Sequence, residues 1–344
     1  MNKEKSRVDY YDAVKGFAIL LVVFAHAIAW QFQDYNEVLT GDNKEVMIIW
    51  RIIYSFHMPL FIFCSGLFHD KENGFYTFKN SLNLIWRRFQ TLIIPYIIMG
   101  SIYNMVSGSF RFYWFLLTLF EFIVITTICS FLFSRTTKYP NLKYWFYAIL
   151  ILVCPFFIPQ LMAFERFPFI DIHHFALFPY FLMGVLCHRF RVIERLCSEK
   201  YQRYSLTIAS VLMILLIWVF IIKDLQLPLM GLVGYILPIS ALIAVFAFFS
   251  YALDKTNKIY RILCNMGVHS LEIYLLHVFF RIQIPELGLF VIRNYNDMGG
   301  ARSALTIQVL IAIVLTTIAI SFCYLVMHLL KATPLLNKLL LGRS

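Results

Sequence analysis

Apolar runs of about twenty residues recur along the whole chain, and the solvent that suits such runs is a lipid bilayer. They lie near residues 13–32, 46–68, 89–107, 112–133, 144–161, 172–188, 205–222, 228–252, 264–283 and 304–328. A helix needs roughly 20 residues to cross the hydrocarbon core, so most of these runs qualify outright, and 172–188 is the short one. Lipid offers no partner to a bare backbone amide, which leaves helices or a closed barrel as spanning structures. Continuous apolar runs of this length are helical. The sequence therefore predicts an all-α polytopic transmembrane bundle of about ten spans, forming a single domain over residues 1–344. Composition agrees: 60% of the residues are hydrophobic and 14% charged, against about 25% charged in a soluble chain.

The net charge of +11 does not form the continuous basic face that nucleic acid requires, so no nucleic-acid partner is expected. The basic residues sit in short clusters between the runs. With the amino terminus inside, 21 of the 30 Lys and Arg fall in inner segments and seven in outer ones. That excess is the positive-inside pattern, and it puts both termini in the cytoplasm of a cell (inner or plasma) membrane. The first outer loop carries Asp34, Glu37, Asp42 and Glu45. Lys3, Lys5 and Arg7, an apolar run and Ala25-His26-Ala27 imitate a secretory signal, but Asp12 and Lys15 crowd the run. Seven cysteines are scattered with no CxxC pair, and the adjacent His173 and His174 point in different directions. No disulfide framework and no metal are expected.

Polar residues inside the spans carry the chemistry, because a charge near the bilayer centre costs roughly 2.5–3.5 kcal/mol. In the first span Lys15 and His26 are eleven residues apart, close to three turns. They share a helix face, with Ile19 and Val22 between them, at a separation of about 16 Å. Asp12, three residues before Lys15, is placed to pair with it. His26 lies past the middle of the span, where an imidazole can accept or give a proton. A histidine merely bonded across a helix contact fits the same position, and this span alone leaves both readings open. The second span holds Arg51, then His57 and Pro59. Proline within a helix permits a kink that often lines a cavity, whereas Arg51 also fits as a residue snorkelling to the outer headgroups. Arg87 and Arg88 stand just before the third span, as membrane anchors or as ligands for phosphate. Glu121 falls mid-span in the fourth. Glu272 and His277, in the ninth, diverge by about 140° around their helix. From these residues, a proton-coupled transporter and a membrane transferase fit equally.

Several motifs resemble the acyltransferase-3 family of membrane O-acyltransferases, especially its fucose 4-O-acetylase-like branch. Tyr11-Asp12-Ala13-Val14-Lys15-Gly16 through His26 is similar to the family's opening motif, a basic residue and a histidine separated by ten positions. Phe56-His57-Met58-Pro59-Leu60 through Ser65-Gly66 resembles its second signature. Arg87-Arg88 leading to Ile94-Pro95-Tyr96, Trp114 to Leu117, Phe181-Leu182-Met183-Gly184, and Ser270 to His277 follow in family order. Many members have Arg where Lys15 stands, and their inner arginine pair is often spaced where Arg87 and Arg88 are adjacent.

The resemblance implies transfer of an acyl group, usually acetyl from cytoplasmic acetyl-CoA, to a hydroxyl of a surface or lipid-linked glycan. It implies His26 as general base or acyl carrier, with Lys15 and Asp12 organising its helix face. His57, Arg51, Arg87, Arg88, Glu121, Glu272 and His277 are the expected substrate- and cofactor-binding residues. The alternative is an exporter of polysaccharide or lipid-linked sugar, for which Glu121 and Glu272 would serve proton coupling.

Overall fold

A computed structural model describes residues 9–32, 48–69, 77–107, 113–136, 141–162, 172–222, 230–252, 255–293 and 301–342. Among these residues all regular structure is helical and no strand occurs. Among the described residues, seven helices are long and apolar enough to cross a membrane: Tyr10–Phe32, Ile48–Leu67, Phe78–Val106, Trp114–Arg135, Gln202–Ile221, Gly234–Ala252 and Leu305–Leu330. An eighth candidate is the pair Lys258–Val268 and Ser270–Phe280, bent by 72° at the break. Of the expected spans, 144–161 falls in the helix Leu142–Met162, and 172–188 divides between Ile172–Phe175 and Phe178–Phe190.

The exposed surface is what a lipid-facing protein requires. On Gln202–Ile217, Ile208, Val211, Leu212 and Leu215 are exposed; on Ala301–Leu330, so are Leu310, Ile313, Val314 and Leu325. Such stripes, at helical spacing, would be a liability in water and are ordinary against acyl chains. The chain is a multi-pass membrane protein.

The helices group into two compact units. The first comprises residues up to Met58, Glu199–Pro228 and Ile236–His328. Its centre is the opening helix, Asp9–Phe32, lying along Lys258–Val268. The two helices touch backbone to backbone. A Cβ on Gly16 would overlap the carbonyl of Leu263, and one on Gly267 would overlap the carbonyl of Asp12. Farther along, Ala27, Ile28 and Phe32 pack with Val291, Ala312 and Leu315. Phe56 packs with Ile221, Leu237 and Ala241.

The expected second span is interrupted at Ser55 and Phe56, between Ile48–Tyr54 and His57–Leu67. Pro59 lacks the N–H that would bond the Ser55 carbonyl, and Phe56 instead donates to Ile53, a tighter turn. The break thus falls one turn before the proline that causes it.

The second unit comprises Pro59–Ser198, Leu229–Tyr235 and residues from Leu329. It repeats the glycine device: Gly66 meets the Phe181 carbonyl and Gly184 meets the Phe63 carbonyl. Phe122 is sealed among Phe175, Phe178 and Phe181. The helix that carries the third expected span begins well before Arg87 and Arg88: Phe78–Arg88, capped by Thr77, runs on through a π-turn at Phe89–Ile93 into Ile94–Ser107. Nothing between Asn80 and Ile94 breaks a helix, so the polar, amphipathic turns that carry both arginines are continuous with the apolar ones that follow.

Candidate active site

Three histidines expected at depth are brought to one place in the first unit. His277 ends Ser270–Leu276 and begins a 3-10 turn, His277–Phe280. Its Nδ1 lies 3.1 Å from the Ile273 carbonyl oxygen, four residues back. A carbonyl only accepts, so Nδ1 carries the proton and Nε2 of neutral His277 is an acceptor. That Nε2 lies 2.9 Å from Nδ1 of His26. His26 therefore donates from Nδ1, and its Nε2 keeps the lone pair. Two helices 251 residues apart thus fix one tautomer, with the basic nitrogen of His26 on the side of the ring away from His277.

The surroundings hold the ring in place. The two imidazoles are nearly parallel, 10° apart, at 5.2 Å between centroids. Trp30, one turn after His26, stacks on it at 5.4 Å and lies 6.2 Å from His277. Tyr54 flanks His26 at 6.5 Å and meets His57 edge-on at 4.6 Å. His57 is fixed in the same manner as His277, donating Nδ1–H to Ile53 at 2.8 Å. His277 and His57 are sealed, at 0% and 1% exposure, while His26 retains accessible surface. Of the three, His26 is the imidazole a substrate can reach.

A non-helical stretch, residues 281–284, follows the 3-10 turn and is tied to the end of the opening helix. Buried Gln31 donates from Nε2 to the Ile282 carbonyl and accepts from the Ile284 amide at 3.0 Å. Gln283 donates to the Trp30 carbonyl at 3.0 Å. One side-chain amide thus pairs the backbone much as a neighbouring strand would.

The other expected residues are placed as follows. Lys15 Nζ is 3.1 Å from Asp12 Oδ1, one turn apart on the opening helix. The stripe from Lys15 to His26 is not open, however: Ile19 and Val22 are buried, at 0% and 2% exposure. Close helix packing on the glycines draws neighbouring side chains into that face, so the expected path for a thioester arm between Lys15 and His26 is filled along it. Glu272 is buried and faces His269 at 3.5 Å, at the bend between the two halves of the pair. Tyr324 packs against His269 and donates to Asn265 at 2.6 Å. Glu272 thus belongs to the bend, while His277 at the end of the same segment reaches His26. Arg51 sits one turn before Tyr54 on Ile48–Tyr54.

In the second unit, Arg87 is exposed and Arg88 half-buried, and Glu121 lies within electrostatic reach of Tyr96. His174 stacks on Trp114 at 3.8 Å. Among the described residues no group of three metal-binding side chains occurs. Trp30, Gln31, Tyr54 and Arg281 escaped the sequence reading. Trp30 and Arg281 each stand four residues after a histidine of the pair, and that spacing was the available signal.

Residues 8–328 match the acyltransferase domain that defines the acyltransferase-3 family. No curated protein and no solved structure matches the chain significantly. The match runs from the start of the opening helix to the end of the last long one, and takes in both helices that carry the histidine pair. The chain belongs to the acyltransferase-3 family and is a membrane acyltransferase.

Proposed function

We propose that this enzyme moves a short acyl group, acetyl from cytoplasmic acetyl-CoA, to a hydroxyl of a surface or lipid-linked glycan at the cell membrane. The observation that carries the reading is the His26–His277 hydrogen bond, with its tautomer set by the Ile273 carbonyl. Nε2 of His26 is a base held in one orientation, on a residue that keeps accessible surface. It takes the proton of the acceptor hydroxyl as that oxygen attacks the thioester carbonyl carbon. The tetrahedral intermediate collapses with cleavage of the carbon–sulfur bond, and the imidazolium returns the proton to the departing thiolate. While His26 is protonated, Nε2 of His277 holds its Nδ1–H in line, as an orienting group does in other acyl-transfer sites.

Lys15, held by Asp12, is the proposed ligand for donor phosphate at the far end of the same helix. Arg87 and Arg88 are candidates for the same kind of anion within their own unit. The family match favours transfer over export. Membranes carrying the chain and supplied with labelled acetyl-CoA should acetylate glycan extracted from cells that lack it. His26→Ala should lower that rate by on the order of 10²–10⁴-fold, the usual worth of a positioned base. Unchanged transfer by the purified variant would remove His26 from the mechanism.

A further inference from the structure

We propose that Arg281, mounted on Trp30, binds an anionic group of the acceptor, so that the enzyme acylates a glycan bearing a carboxylate or phosphate close to the reacting hydroxyl. This rests on the acyl-transfer reading above and specifies its acceptor. The guanidinium carbon of Arg281 lies over the Trp30 ring, 5.6 Å from its centroid, and Trp30 in turn stacks on His26. Cation, indole and base are neighbours in turn. A guanidinium carries its N–H donors along the edge of its plane. Those edge donors match the two oxygens of a carboxylate or phosphate.

The position is built. Residues 281–284 are non-helical, and three hydrogen bonds from Gln31 and Gln283 hold them to the opening helix. Arg281 and Gln283 are exposed, so the side chains carried by this stretch are open to a ligand.

The side of entry identifies the ligand as acceptor and not donor. Along the opening helix the order is Lys15, His26, Trp30, so Arg281 lies beyond the base, away from Lys15. A donor held at Lys15 and an acceptor held at Arg281 approach His26 from opposite directions. Arg51, one turn before Tyr54, adds a second cation on a helix that flanks His26.

The test uses the full chain in membrane vesicles with labelled acetyl-CoA and glycan extracted from cells lacking the enzyme. The glycan is offered untreated, with carboxylates capped as neutral amides, or stripped of phosphate. Arg281→Gln should raise the KM for untreated glycan by about tenfold or more, the loss of one charge-assisted contact. Its kcat and its KM for acetyl-CoA should hold, which also shows that the variant is folded, and Arg281→Lys should recover part of the loss. One treatment should bring the wild type to the level of Arg281→Gln and leave Arg281→Gln unchanged, and which treatment does so separates carboxylate from phosphate. The inference is overturned if the wild type uses both treated glycans as well as the untreated one. It is also overturned if Arg281→Gln loses kcat with the glycan KM unmoved, which would make Arg281 a support for Trp30 only. Absence of any transfer by the wild type would instead refute the acyl-transfer reading.

Discussion

His277 is sealed from solvent, yet it decides which nitrogen of His26 keeps the lone pair and so, on the proposed mechanism, which one can act. Removing its side chain leaves Nδ1–H of His26 without that acceptor and allows the opposite tautomer, with the lone pair turned inward. His277→Ala should lower kcat by roughly 10²-fold, within the limit of about 10⁴ for a wrong tautomer, with little change in either KM. His277→Gln should recover a good part, because its carbonyl can accept from His26 and its amide can donate to Ile273. Equal loss in both variants would mean that His277 serves packing alone. The sequence made each histidine visible separately, since a buried imidazole in an apolar run stands out. It did not make the pair visible. A hydrogen bond across 251 positions depends on how two helices lie, and nothing local to either segment encodes that.

One glycine contact sets how those helices lie, a second does the same within the other unit, and both tie together motifs through which the chain resembles its family. Gly16, in the opening motif, is pressed against the helix that leads into the Ser270–His277 segment; Gly66 and Gly184 join the second signature to Phe181-Leu182-Met183-Gly184. Motifs far apart in sequence are thus partners at backbone distance. In each case the obstacle to a Cβ is a carbonyl of the facing helix, which cannot swing aside as a long side chain would. Gly267→Ala should therefore push Lys258–Val268 off the opening helix and cost about 1–3 kcal/mol by overpacking. A shift of even part of an ångström would lengthen the His26–His277 hydrogen bond, so activity in detergent should fall before thermal stability collapses. A variant that is fully active and equally stable would show that the contact has slack. Helix identity and rough position were legible here from apolar run length. The bend at His269 and the backward extension of the helix that carries the third span were not. Periodicity reports that a segment is buried, without reporting whether it stays straight.

At the scale of the whole chain, the contacts of the opening helix settle how the bent pair travels. Leu263 and Gly267 lie against Gly16 and Asp12, His277 meets His26, and Ile282 and Ile284 bond Gln31. The segment from 263 to 284 thus accompanies the opening helix from residue 12 to 31, in the same direction, over about 28 Å of rise. That is nearly the full hydrocarbon thickness of about 30 Å. If the opening helix crosses, the bent pair crosses beside it and is not a re-entrant loop. Parallel spans require an odd number of crossings between them, and five of the long apolar helices lie between in sequence. Leu142–Met162 and the Ile172–Phe190 segment must then both cross or both stay on one side. If the long apolar helices all cross, the total among the described residues is eight or ten, and either number ends the last long helix on the side where the opening helix began. An epitope inserted near Lys255 and a second near Asp297, each in the full-length chain, test this directly. The first should be labelled only after permeabilisation and the second in intact spheroplasts, with a fluorescent protein fused after Ser344 reporting the cytoplasm. Labelling of both epitopes from one side would make the bent pair re-entrant, and His277 could then not run alongside a helix that crosses to reach His26.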